Sequence, residues 1–248
     1  KSLQQKTSHI YGNYAIFSRM TDWNPAEIIG TRPNPLSIDL YNNLITKKIW
    51  AKQRNEFGYR DIRPAPLLYN FCEQPYVDCR ASINSFIPKD LTEDCASRLV
   101  NAYLEILKNN PHLHDKLELE IVFTIWVPNF KEEAKKRFKN LNILPSDISQ
   151  LEKSLKKLTA NALTRLDKDI LSVKILSERY YKLIDNKNHI LDTIFQLIED
   201  CKNYGTLAFA HAARAGFVAV TLLKSLVKLG NLSQDRMLEF QSTIPTVA

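Results

Sequence analysis

Glycine is scarce in this chain, with six residues among 248. Phosphate-cradling loops need closely spaced glycines, whose backbone N–H groups can turn towards the anion. There is no G-x-x-x-x-G-K-[ST] loop and no G-x-G-x-x-G turn, so the common self-contained nucleotide sites are excluded. G-x-S-x-G and H-E-x-x-H are also missing, which removes the usual hydrolase elbow and zinc-protease helix. Four cysteines, Cys72, Cys79, Cys95 and Cys201, lie scattered without a C-x-x-C pair. That spacing offers neither a zinc knuckle nor a redox motif, and it fits a reducing, cytoplasmic setting. His112 and His114 sit two apart in "NNPHLHDK", but no third ligand is evident, so no metal is expected.

A concentrated basic patch is lacking too. The net charge is +7, which permits an acidic ligand or nucleic acid. The charge is dispersed, as in "FKEEAKKRFKN" (130–140), and no lysine–arginine block is interleaved with aromatics. A solvated helix face explains that pattern better than a nucleic-acid surface, which is left as the weakest option. Nothing at the amino end reads as a secretory signal, and Lys1 opens the chain in place of a methionine. It therefore reads as a piece of something longer.

One long apolar run is present, "LAFAHAARAGFVAVTLLKSLV" at 207–227. His211, Arg214 and Lys224 argue against a membrane span, because an arginine near mid-span costs roughly 2.5–3.5 kcal/mol on insertion scales. Ala208, Ala212, Ala215 and Ala219 share one narrow helical face. This predicts a buried bundle helix packed through its alanines, and no membrane partner.

The most informative stretch is "TDWNPAEIIGTRPNPLS" at 21–37. Asn24 suits a helix N-cap, and Pro25 falls at the first helical position, where its missing N–H costs nothing. Glu27 stands at the reach-back position of a capping box, and Trp23 with Ile28 can flank it as a hydrophobic staple. Gly30 offers a left-handed stop. Every residue thus has a structural role. The same turn also has a functional reading, because a helix N-terminus favours anions and Arg32, just beyond, carries an anion-matching fork.

The spacing elsewhere predicts an α+β fold: a small antiparallel sheet with helices, then a mainly helical bundle. Residues 1–130 read as a mixed α/β subdomain and 131–248 as a helical subdomain. Strands are expected at "YAIFSRM" (14–20), "PYVDCRASINSFIP" (75–88) and, most firmly, "KLELEIVFTIWVP" (116–128), where apolar residues alternate. Helices are expected over 36–54, over 90–109 up to Pro111, and at helical spacing from 131 on. A last helix begins at Ser233, anchored by Leu238 and Phe240.

On the 75–88 strand, Asp78, Arg80, Ser82 and Asn84 would point to one side. That row can line a ligand groove or form the wet face of a sheet. "EFGYRDIRP" adds Arg60 in a loop. Arg32, Arg60 and Arg80 are therefore the candidate anion holders, with Asn84 orienting and Asp22 or Glu27 as candidate base. Carboxylates among those arginines would instead make a structural network.

"DWNPAEIIGTRPNPLSIDLY", "WAKQRNEFGYRDIRPAPLL", "PYVDCRASINSFIP" and "EDCKNYGTLAFAHAARAGFVA" together resemble the middle region of bacterial phosphoenolpyruvate synthase-like phosphotransferases. The resemblance runs from about Arg19 to Ala248. It implies a flanking ATP-grasp-like nucleotide domain and a mobile phosphohistidine domain in the same protein, with ATP and Mg used by the full-length enzyme and no cofactor held by this segment. Thr7-Ser8-His9 matches part of that histidine's context. However, Ile10 replaces the alanine and no glycine precedes it, so it reads as a coincidence. The expected role is a central substrate-side or scaffolding domain, not catalytic alone, with a small anionic substrate. The alternative is a non-enzymatic docking module.

Overall fold

The computed structural model describes residues 10–185 and 189–244. It is mostly helical, with one three-stranded antiparallel sheet near its amino end. The sheet order is β1 (Phe17–Ser18), β3 (Gln74–Asp78), β2 (Leu68–Phe71). Val77 lies opposite Ser18 on one side and Leu68 on the other. Cys72 and Glu73 both take positive φ, the geometry that a two-residue hairpin turn requires.

Around this sheet lie α1 (Pro25–Ile28), α2 (Pro35–Tyr41), α3 (Ile49–Phe57), α4 (Cys79–Ser85) and α5 (Glu93–Asn109). The remaining helices are α6 (Phe130–Arg137), α7 (Pro145–Thr164), α8 (Leu166–Asp185), α9 (Ile190–Asp200), α10 (Leu207–Lys228) and α11 (Gln234–Ser242). The main core joins Phe57, Phe86, Leu99 and Tyr103 to Phe130, Leu151, Leu158 and Val218, so it draws on both sides of residue 130. Gly58, at φ 120, ends α3 where a Cβ would come within 2.5 Å of Leu158. Any side chain there would be strained at that φ and would have to displace Leu158.

The capped turn forms. Asn24 Oδ1 accepts from Glu27 N at 3.2 Å, and Gly30 follows at φ 90. The Glu27 carboxylate meets the Asn24 side-chain amide at 2.5 Å rather than its backbone. Asn24→Ala is expected to cost about 0.5–2 kcal/mol, measured by denaturant titration.

Of the predicted strands, one is cut short and one is not a strand. The 75–88 segment is extended only to Asp78, then becomes α4. Asp78 caps it, accepting from Arg80 N at 2.8 Å and Ala81 N at 3.2 Å. The apparent alternation ran across a strand end and a helix start. Residues 117–121 form a wide π-helical turn with Leu119 exposed. Beyond it, 122–127 pairs with no strand. Its backbone groups are met by side chains: Tyr103 Oη, Tyr59 Oη and Thr159 Oγ1 bond Phe123 N, Thr124 O and Trp126 N. Those contacts replace a neighbouring strand.

Residues Ile190–Lys228 run as one helical stretch, by length and composition apolar enough to cross a membrane. Within α10 Ala208, Ala210, His211, Arg214, Val218 and Ser225 are buried and Ala215 half-buried, while Ala212 and Ala219 are exposed. The four alanines predicted as one contact face do not pack as one, since only Ala208 is buried; polar residues that find partners hold the helix down. His211 accepts from Gln53 at 3.1 Å and meets Glu56 at 3.1 Å. Ser225 donates to Asn129 at 2.6 Å. Ala212→Leu is accordingly expected to change stability by no more than about 0.5 kcal/mol. Ala210→Leu, on the buried side, should cost about 1–3 kcal/mol. Thermal melts of the two variants check this. In α11 Met237 is the buried anchor, with Leu238 and Phe240 exposed.

Candidate functional site

Between the capped turn, α3, α4, the 117–121 turn and α10 lies a cavity of about 750 Å³, within the range of small-molecule sites. Asp22, Trp23, Asn24 and Glu27 form one lip. Asp22, Trp23 and Asn24 all sit at positive φ (38, 59 and 31), a conformation L-residues adopt at a cost and keep only when held. What holds them is visible. Asp22 Oδ1 accepts from Arg54 Nη2 at 2.6 Å and Oδ2 from Ser82 Oγ at 2.6 Å. Tyr41 Oη donates to Trp23 O at 2.8 Å. Burial, with the Asp22 charge adding, pushes the Tyr41 phenol far up, so it serves only as a donor.

Arg54 is nearly enclosed. It gives its other fork nitrogen to Ser85 Oγ at 2.5 Å and lies 3.8 Å from the Phe86 ring centre. Arg214 approaches the same ring at 4.9 Å and pairs with Glu118. The surrounding carboxylates hold its guanidinium pKa above the usual arginine value despite complete burial. The floor is thus two guanidiniums, two carboxylates, Ser82 and Gln53 around one aromatic ring. Exposed apolar side chains, namely Met20, Ile28, Leu119, Phe209 and Phe217, rim it.

Of the residues singled out from sequence, Asp22 and Glu27 line this cavity, and Arg32, Arg60, Arg80 and Asn84 do not. The expected convergence of three arginines beside the turn does not occur. Arg32 lies in a separate depression with Asn34, Asp39, Asn70 and Glu73. Arg60, Arg80 and Asn84 gather instead on the chain's own Tyr11–Gly12. Arg60 stacks on the Tyr11 ring at 4.0 Å. Asn84 accepts from Tyr11 N and donates to Tyr11 O, each at 2.9 Å. The Arg80 stem fills the space beside Gly12. His9 lies outside the described residues.

The sequence reasoning missed Arg54, Gln53, Phe86, Glu118 and Arg214. A signal existed for Arg54, which stands four residues after Trp50 and three before Phe57, on the apolar face of its own helix. Arg214 carried the same sign in the most apolar helix of the chain. Of the other polar candidates, His114 is bonded to Ser18 at 3.0 Å, and burial pushes the Cys79 thiol up to about 12, too high for a thiolate nucleophile. Among the described residues no His, Cys, Asp and Glu cluster could hold a metal ion. No family model, no curated protein and no solved structure matches this chain.

Proposed function

We propose that this chain is the acceptor-binding domain of a phosphoenolpyruvate synthase-like, ATP-dependent phosphotransferase, and that the cavity beside the capped turn holds the acceptor. The single observation that carries the site is the convergence there. Segments distant in sequence meet with buried charges already paired, a held left-handed turn and a volume suited to a small molecule. The reaction class rests on the sequence resemblance. Asp22 is fixed by Arg54 and Ser82, and so positions rather than abstracts. Glu27, exposed on the lip and bonded to the Asn24 amide through one oxygen only, is the group placed to take a proton from an acceptor. The phosphoryl donor would come from the flanking domains, with ATP and Mg bound there.

The test uses the product of the native gene, incubated with ATP labelled in its β- and γ-phosphates and a metabolite extract. Label should pass to the protein and then to a small molecule. Ala213→Trp, which fills the cavity, should leave protein labelling intact and abolish the small-molecule product. A variant that labels the small molecule as well as wild type does rejects the site.

A second reading, a docking module, is favoured by a different observation. Tyr180, Tyr181 and Ile184 on α8, and Ile190, Leu191, Ile194 and Phe195 on α9, are all exposed. Apolar surface of that extent on neighbouring helices marks interaction sites. Size-exclusion chromatography with light scattering of Phe195→Glu against wild type checks it: a smaller assembly in the variant supports docking.

A further inference from the structure

The cavity's charge balance identifies the kind of acceptor, and this inference rests on reading the cavity as the acceptor site. Its lining holds four carboxylates, Asp22, Glu27, Asp115 and Glu118, against three cations, Arg54, Lys116 and Arg214. Each of the two cations at the floor has a carboxylate partner, although Arg214 Nε is left without a hydrogen bond. Asp22 and Ser85 take both fork nitrogens of Arg54, and Glu118 takes Arg214. A phosphate or carboxylate entering here finds one unanswered buried nitrogen, Arg214 Nε, against carboxylates on the floor and at the lip that outnumber the cations. Like charges in a site of reduced dielectric repel strongly.

What the lining does offer is a fixed set of hydrogen-bonding groups. Each floor carboxylate is oriented by a guanidinium yet keeps unused lone pairs, since an ionised carboxylate has about four acceptor sites. Gln53, Asn24 and Ser82 add amide and hydroxyl groups. Above them stand ring faces, Trp23 and Phe209 with centroids 6.2 Å apart and Phe217 beyond. Aromatic faces are electron-rich, so they pack well against the slightly positive C–H face of a saturated ring. Phe209 is 64% exposed, which leaves such a face open to a ligand.

We infer that the cavity takes an uncharged, hydroxyl-rich saturated ring, hydrogen-bonded at the paired carboxylates and stacked under the Trp23–Phe209 rim, and that it selects against anions of the same shape. The phosphoryl acceptor would then be an alcohol oxygen, which forms the new P–O bond as its proton passes to Glu27 and the donor's bond to phosphorus breaks.

Matched ligands test this. Glucose, galactose and myo-inositol are compared with glucuronate, galacturonate, inorganic phosphate and phosphoenolpyruvate by ligand-observed NMR on the intact chain. Wild type, Phe209→Ala and Glu118→Gln are each measured. Phe209 is on the surface, so its variant keeps the fold. The expected result is binding of at least one uncharged ring, at least ~10-fold weaker binding of its uronate, and loss of both in Phe209→Ala. Glu118→Gln removes one floor charge and should narrow the gap between ring and uronate. Tighter binding of an anion that Phe209→Ala abolishes overturns the ligand class and leaves the site. Absence of any rim-dependent binding overturns both.

Discussion

Arg54→Ala is expected to be the most damaging single substitution in the chain, at about 3–5 kcal/mol, the usual loss when one partner of a buried ion pair is removed. The Arg54 side chain is 3% exposed and Asp22 9% exposed. The variant leaves Asp22 buried with Ser82 alone and unstacks the face of Phe86. It also releases the left-handed 22–24 segment, whose conformation depends on that grip. For a chain of this size the loss corresponds to a fall in Tm on the order of 10 °C. Thermal denaturation followed by circular dichroism reads it. Asp22→Ala/Arg54→Ala should be less harmful than the sum of its parts, because the charge stranded by either single change is absent in the double variant. Strict additivity would mean that the pair does not act as a unit.

The second large effect is at Asp147, fully buried at the start of α7. Arg98 of α5 grips it with two bonds, at 2.7 and 2.8 Å, and Leu144 N donates to it at 3.0 Å. The Arg98 grip, first, and then the Leu144 amide hold its carboxyl below the usual value despite its burial. Asp147→Ala should cost about 1.5 kcal/mol, the low end for hydrogen bonds to a charged group, because Arg98 remains partly solvated. The depressed folded-state pKa also sets a sign with pH. The contribution is fully present above the unfolded value of about 4 and is lost as pH falls towards the folded one. The difference in stability between wild type and Asp147→Ala should therefore shrink when urea titrations are moved from pH 7 to pH 3. A difference that grows on acidification would contradict the assignment.

Much of this architecture was legible because helix signals are local. Asn24, Pro25 and Gly30 announced the capped turn, Pro111 the end of α5, and Ser233 the start of α11. The misread segments share a physical cause. Alternation at 117–125 describes which side chains want burial, but not where the backbone finds its partners. Here those partners are Tyr103, Tyr59 and Thr159, from elements far away in sequence. At 75–88, Asp78 was read as one of a row of polar side chains, although an aspartate two and three residues before free amides is also a helix start. The alanine row of α10 looked like a contact face because small residues permit close approach. His211, Arg214 and Ser225 won that face instead, since each finds a partner on another element.

The candidate site was half legible for the same reason. Its lip, residues 22–27, is contiguous and stood out. Its floor is assembled from α3, α4, the 117–121 turn and α10, and no spacing rule links Arg54 to Arg214 or Glu118. Arg60, Arg80 and Asn84 were noticed because polar residues in an apolar context stand out. That signal marks an important contact without saying whether its occupant is a ligand or the chain's own backbone, which here is Tyr11–Gly12.

The most direct measurement is a tryptophan-indole NMR titration. The chain has three tryptophans. Trp23 stands on the cavity lip, whereas Trp126 lies apart from it, its indole facing Glu152. With glucose, galactose or myo-inositol added to the intact chain, the Trp23 indole resonance should shift in a saturable way, the Trp126 resonance should stay fixed, and Ala213→Trp should abolish the Trp23 shift. A Trp23 resonance that never moves, or a saturable shift at Trp126 alone, would contradict a ligand site at the capped turn.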